Sequence, residues 1–520
     1  AHLVFETVNS FLQHWPNTRM RNGHNIVPGT APPGTLLYHG TWHSGLPPGP
    51  EWTATDPEHS ILFCRNTNGE DGCWHLTLMT TRPLKVVYFD GSSAAKGPSG
   101  MMDTQDIIAW GKVQPDWAYE ERDRIEALCE WGREYDVDGF VRMEMDFEVM
   151  LCNFTSSVRV VSSLTLAKPG TNPKASRMFE AIYAGSQHNR YPGETRVQLD
   201  LSGLVSFYDT ELVPSLVPAR FETERWTHRL LNISDEDVAQ ARARLGEVLS
   251  RPAYRSGSGI DWLALIRVVV DRYSERLEFV HHLLNPTGPD SGDSDNITDT
   301  AMKTQVQLGN MLAPYILVDV TPPSTLPKTK EAGLDMLDWA RPAYRLCATT
   351  HTGMLKGGAM TSSEKLLLNA VHDTTREICR VVTKMWGLGV LAGVDQFMGT
   401  DNERDVHAIE NMMKIWKKDI DELMAWLDWN AWVKCRPACG PEEMCYLTTW
   451  PVGFPMPHRP RPRQPENGDP RSPSPSQPPV GEEPIPTRPP RGGRPPHGEP
   501  AEDWERPQPR CIRRVDPYTI

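Results

Sequence analysis

Two short stretches carry the residue types that could do chemistry. In Leu36-Leu37-Tyr38-His39-Gly40-Thr41 an apolar run ends on a histidine, a glycine and a hydroxyl. Further along, Asp146-Phe147-Glu148-Val149-Met150-Leu151-Cys152 sets one carboxylate inside an apolar run. A histidine at a strand end can hydrogen-bond a ligand hydroxyl. A glycine, lacking Cβ, lets a ligand approach the backbone. A carboxylate between apolar neighbours must be paired, functional or at a cleft edge. Across a shared cleft, such a set would suit positive charge developing on a substrate, where one preorganised group contributes roughly 2.7–4 kcal/mol. Each residue also has an ordinary reading. His39 can be a hydrogen-bonded strand-end residue, and Glu148 a solvent-facing residue on an edge strand. Glu144 shares a face with Phe140 and Arg142, so an ion pair is expected for it.

Stepping outward, six runs read as strands: Thr35 to Tyr38, Trp74 to Met79, Leu84 to Phe89, Gly139 to Met143, Phe147 to Phe154 and Val158 to Leu166. Alternation in the fifth puts Glu148, Met150 and Cys152 on one face and Phe147, Val149 and Leu151 on the other. Between strands, Thr55-Asp56-Pro57-Glu58 is a helix start with Thr55 as the expected cap. A second helix is expected from about Asp116 to Tyr135. Past residue 170 the periodicity turns helical, with apolar residues stepping by three and four from Trp262 to Leu284, Leu367 to Met385 and Val406 to Leu427. Asn285 to Asp299 reads as a loop. From about Pro451 the chain is dominated by Pro, Arg, Ser and Gly and is expected to be a disordered tail.

Leu37-Tyr38-His39-Gly40-Thr41 resembles the opening strand of poly(ADP-ribose) polymerases and tRNA 2′-phosphotransferases. Phe147-Glu148-Val149-Met150-Leu151 is similar to the strand that carries the catalytic glutamate of those ADP-ribosyltransferases. The resemblance implies that His39 and Gly40, with Thr41 beside them, hold the ribose and nicotinamide of NAD. Glu148 would then stabilise the oxocarbenium ion and orient a nucleophile from a protein acceptor or water. The family's stacking tyrosine is absent, and Trp52 or Phe63 would supply the aromatic face instead. A wider likeness runs from Leu37 through Leu84–Lys96 and Asp138–Met143 to Thr155, and continues at Gly259–Arg267 and Cys435–Trp450. It resembles large fungal secreted or membrane-anchored glycoproteins of unassigned activity. The expected fold is therefore α+β: an ADP-ribosyltransferase-like mixed-sheet domain over 1–170, a mainly helical domain over 171–450, and a disordered Pro/Arg-rich tail over 451–520. The alternative function is a non-catalytic extracytoplasmic glycoprotein acting as a cell-surface or interaction scaffold.

Composition narrows the remaining choices. A formal charge of −13 over 520 residues disfavours a nucleic-acid partner. No apolar run is long enough for a transmembrane helix. Ten cysteines are compatible with five disulfides, and one between Cys64 and Cys73 would close a polar loop. Cys435, Cys439 and Cys445 lack zinc-ligand spacing and read as a small disulfide knot, so no metal is expected. The start at Ala1 reads as a removed leader or an artificially cut end. With the cysteines, it points to secretion or the secretory lumen. Sequons at Asn153, Asn232 and Asn296 are about as many as chance supplies. Asp103 is expected to cap a helix rather than bind a cation with Asp106, and Asp90-Gly91-Ser92-Ser93 to be a plain turn.

Overall fold

A computed structural model describes residues 1–42, 44–64, 72–97, 99–167, 178–185, 193–251, 257–285, 294–323, 334–355, 359–395, 405–447 and 508–515. The chain is a mixed α+β protein with a curled N-terminal sheet and a helical C-terminal region. The strands are β1 (Asn25–Ala31), β2 (Leu36–Thr41), β3 (Glu51–Ala54), β4 (Cys73–Thr80), β5 (Leu84–Phe89), β6 (Gly139–Met143), β7 (Phe147–Leu151), β8 (Val158–Ala167), β9 (Gln198–Leu199) and β10 (Val205–Ser206). They form one ten-stranded sheet in the order β10-β1-β5-β6-β7-β3-β2-β4-β8, with β9 also on β1. Its one parallel pair is β5–β6. Parallel neighbours need a crossover, and here helices Asp103–Trp110 and Glu121–Arg133 supply it.

β1 escapes the sequence reading because it holds Pro28 and Gly29. Its outer side meets β10 at Asn25 and Ile26 and β9 at Gly29 and Thr30, so Pro28 falls between two short partners. There a missing N–H interrupts no ladder.

Two apolar cores lie on the two faces of the sheet. One gathers Leu37, Leu76, Leu78, Phe147, Val149 and Leu151, and runs on into helices His2–Ser10, Trp262–Leu284, Ser362–Leu391 and Val406–Leu427. The other gathers Val87, Phe89, Phe140 and Met150 under helices Asp103–Trp110, Glu121–Arg133 and Asp235–Leu249. The boundary expected at residue 170 is thus crossed. β9 and β10 return from beyond it to β1, and the sheet shares its larger core with the helical half.

Helices Trp262–Leu284 and Val406–Leu427 match their apolar periodicity. Ser362–Leu391 begins with a full capping box between Thr361 and Glu364. The expected helix from Asp116 is shorter, a turn at Pro115–Trp117 and then Glu121–Arg133. Part of the expected loop at 285–299 belongs to helix Ser294–Leu312; residues 286–293 lie outside the described residues. The expected tail is mostly outside them too, with one correction. Pro509–Arg513 forms β12, paired antiparallel with β11 (Glu443–Leu447) and tied by Cys439–Cys511. A disulfide and a ladder give this piece partners that its local composition does not announce.

All ten cysteines are paired: Cys64–Cys73, Cys129–Cys152, Cys347–Cys379, Cys435–Cys445 and Cys439–Cys511, with Cα separations between 5.2 and 5.8 Å. These separations suit a disulfide without backbone movement.

Candidate functional site

The β6–β7 hairpin builds the centre of the site. Its turn, Glu144-Met145-Asp146, closes with Glu144 N–H donating to the Asp146 carbonyl, and Asp146 Oδ1 accepts from Phe147 N–H at 2.8 Å. This turn sets Arg142 directly opposite Glu148. Arg142 Nε donates to Glu148 Oε2 at 2.8 Å, and Arg142 Nη2 lies 2.7 Å from Glu121 Oε2. On the other side His59 Nε2 stands 3.2 Å from Glu148 Oε1. His59 arrives because β3 leads at once into helix Pro57–Ser60, whose first turn is preset by Pro57. Its N-cap is Asp56 rather than the expected Thr55; Thr55 Oγ1 donates instead to the Phe147 carbonyl.

The pairing extends further. Glu121 Oε1 bonds Arg124 Nη1 at 2.9 Å, and Arg124 meets Asp106 at 3.2 Å. Charges of alternating sign therefore run Asp106, Arg124, Glu121, Arg142, Glu148 from the crossover helices to the sheet, and His59 meets the last of them. Glu148 is 3% exposed. Burial alone would push its carboxyl up, but Arg142 and His59 hold it well below the usual range. Glu144 shows the opposite. Burial, and then the adjacent Glu148 charge, push it up. Its Oε2 has no hydrogen-bond partner among the described residues. The ion pair expected for Glu144 goes to Glu148 instead, because the hairpin register opposes Arg142 to residue 148. Asp103 and Asp106 are likewise neither cap nor cation pair: Asp103 bonds Arg229 and the Leu230 N–H, and Asp106 bonds Arg124 and the Gln114 N–H.

The register also places the other sequence candidates. Tyr38 pairs with Ala54, Ala54 with Glu148, and Glu148 with Arg142, so these four share one face of the sheet. Gly40 and Trp52, two residues from Tyr38 and Ala54, share it too. His39 and Thr41 point to the opposite face. There His39 pairs with Leu76 of β4, its Nδ1 lies 2.6 Å from the Trp52 carbonyl, and its ring meets Phe154. The structure thus brings together Glu148, Trp52 and Gly40, but does not bring His39 or Thr41 to them. Trp52 lies under two guanidinium groups, Arg142 at 5.7 Å and Arg122 at 5.6 Å. Phe63 sits edge-on to His59 at 5.4 Å. Gly40 is needed by the chain itself: a Cβ there would meet the Ser60 carbonyl oxygen at 2.0 Å.

His59 and Glu121 are the members of this cluster that the sequence reading passed over, and Arg142 was read only as a neighbour of Glu144. The available signal was a histidine one turn into a Pro-started helix that directly follows a strand. Among the described residues, two groups could hold a metal by proximity. Cys435, Cys439 and Cys511 are consumed by disulfides. His59, Glu144 and Glu148 each offer a ligand atom within 4.8 Å of the others.

Comparison with known proteins finds yeast relatives. Residues 65–174 match the model of the YPL277C N-terminal domain. The chain is 25% identical to uncharacterized protein YOR389W of Saccharomyces cerevisiae, over 87% of this chain and 82% of that one. It is 26% identical to uncharacterized protein YPL277C of the same yeast, over 58% of this chain and 78% of that one. These similarities support a fungal group without an assigned activity. No solved structure matches the chain. Among the described residues no helix is long and apolar enough to cross a membrane.

Proposed function

We propose that this protein is a non-catalytic extracytoplasmic glycoprotein, a disulfide-stapled scaffold for interaction or for the cell surface. The observation that carries the reading is the pairing of all ten cysteines. Cytosolic thiols are kept reduced, so complete pairing suits an oxidising compartment. Two staples brace the Glu148 region: Cys64–Cys73 joins the segment after helix Pro57–Ser60 to β4, and Cys129–Cys152 joins helix Glu121–Arg133 to the end of β7. Asn153 and Asn232, two of the three sequon asparagines, are exposed. The side chain of Asn296 lies outside the described residues.

The NAD reading draws no support from the same geometry. It needs His39 and Glu148 on one cleft, whereas the register gives them opposite faces and Glu148 is enclosed by Arg142 and His59. The test has two arms. Alkylation of the unreduced protein followed by mass spectrometry should find no free thiol, and a glycosidase should shift its mobility. Free thiols throughout a cytosolic pool would overturn the proposal. Calorimetry with NAD should show no binding. Nicotinamide release that disappears in a folded Glu148→Gln variant would restore the enzymatic reading.

A further inference from the structure

We propose that His59, Glu144 and Glu148 form a buried site for one divalent transition-metal ion, zinc foremost, which clamps the β6–β7 hairpin to the helix Pro57–Ser60. This goes beyond the scaffold reading and does not depend on the compartment. It rests first on chemistry and spacing. One imidazole and two carboxylates are a donor set for borderline ions such as zinc or manganese. Bonds of about 2.1 Å at tetrahedral or octahedral angles separate neighbouring ligand atoms by roughly 3.0–3.4 Å. His59 Nε2 and Glu148 Oε1 are already 3.2 Å apart. A Glu144 oxygen lies within 4.8 Å of both.

The second support is independent of that clustering. Glu144 is 7% exposed, yet its Oε2 has no hydrogen-bond partner among the described residues. A buried carboxylate oxygen with nothing to accept is costly, and a cation at this point would satisfy it. The remaining oxygen of Glu148 is taken: Oε2 is held by Arg142, which leaves Oε1 directed at His59. Arg142 thus does what an outer partner does for a metal-bound carboxylate, fixing its orientation. Charge has the right sign as well. The groups acting on one another here are the three carboxyls of Glu121, Glu144 and Glu148 against the two cations Arg142 and Lys96. The Arg124–Asp106 pair alongside is neutral by itself.

Burial of all three ligands makes the ion structural. It would tie helix Pro57–Ser60 to the β6–β7 hairpin beyond the His59–Glu148 contact, and such binding free energy adds directly to folding.

The test uses the full-length protein. Elemental analysis after purification without chelator should find about one equivalent of zinc or a similar ion. Treatment with EDTA should lower the thermal midpoint, and added zinc should restore it. Calcium should not, since it requires six to eight oxygen ligands. Glu144→Gln should fold, lack the equivalent and lose the zinc-dependent rise. Cobalt(II) added to chelator-treated wild-type protein should give a visible absorption band that zinc displaces, a readout that needs no variant. Absence of both the equivalent and the cobalt band overturns the proposal. So does zinc binding of equal strength in Glu144→Gln, which would mark adventitious surface histidines.

Discussion

Glu148 and Glu6 are the same residue type, both fully enclosed, on opposite sides of the sheet, and their surroundings drive them to opposite states. Glu148 stands on the charged side. The Arg142 guanidinium and the His59 ring touch its two oxygens and hold its carboxyl well below the usual range. Glu6 lies on helix His2–Ser10, whose Val4, Phe5 and Val8 enter the larger apolar core. Its Oε1 accepts only amide donors, from Asn430 N–H at 2.8 Å and Asn430 Nδ2 at 2.7 Å. Burial pushes its carboxyl up to about 7, with more distant Arg225 opposing. A buried carboxylate is thus kept charged by contact with cations, while neutral hydrogen bonds alone leave it near the point of protonation.

The largest effect should come from breaking the charged side. Arg142→Met leaves the buried Glu148 and the half-buried Glu121 without their shared partner. A loss of about 3–5 kcal/mol is expected in urea unfolding. Replacing the three together, Glu121→Gln, Arg142→Met and Glu148→Leu, should recover most of it, since removing a whole buried ionic group is often neutral. A loss from Arg142→Met below about 1 kcal/mol would mean that the pairs behave as exposed ones.

The apolar side should break more simply. Leu151→Ala opens a cavity in the core it shares with Phe147 and Val149 and should cost about 3 kcal/mol. No second substitution on the charged face should rescue it.

This contrast also explains what the sequence could tell. The apolar face of β7 was legible, because Phe147, Val149 and Leu151 announce themselves by alternation. So were the long helices, by their three- and four-residue steps. The charged face was not, because its partners come from elsewhere in the chain. Arg142 was in view, but only the three-residue turn decides that it opposes Glu148 rather than Glu144. His59 comes from a different strand–helix junction. That His39 and Glu148 lie on opposite faces depends on the strand order β2-β3-β7 and on Tyr38, not His39, pairing with Ala54. No local pattern holds that information. β1 and β12 were hidden by proline for the same reason: their partners are remote.

Glu6 gives the pH test of the comparison. Its folded value, about 7, is raised above the unfolded value of 4.5. Below pH 4.5 both states hold the proton and the group takes nothing from stability. As pH rises from 4.5 to 7 the unfolded chain ionises first, so stability falls; above 7 the whole loss is present. Glu6→Gln, which can still accept from Asn430, should lack this decline. Its advantage over the native protein should grow from nearly zero at pH 4 to on the order of 3 kcal/mol at pH 8. Urea unfolding of both proteins at several pH values isolates the residue, since other titrating groups cancel in the difference. An advantage that is constant with pH would show that Glu6 titrates in the folded protein as in the unfolded chain, and a disadvantage at pH 8 would show that it is held ionised as Glu148 is.

Gly40→Ala should have the smallest effect, about 2 kcal/mol, and it separates two reasons for a glycine on the charged face. If Gly40 served ligand approach, alanine would leave the fold undisturbed and remove only binding. In this packing a Cβ would meet the Ser60 carbonyl oxygen at 2.0 Å and Cys64 Sγ at 3.1 Å. A backbone oxygen cannot rotate away, so the segment from Pro57 to Cys64 would have to move, and the Cys64–Cys73 bridge to β4 resists that movement. Overpacking of this kind costs about 1–3 kcal/mol. The displaced segment carries His59, so the imidazole should draw back from Glu148 as well. Comparison of Gly40→Ala alone, Arg142→Met alone and both together should then show coupling between the two sites, because each variant disturbs the same carboxylate. Strict additivity would place the helix and the ion pairs on independent footings and separate His59 from the charged side.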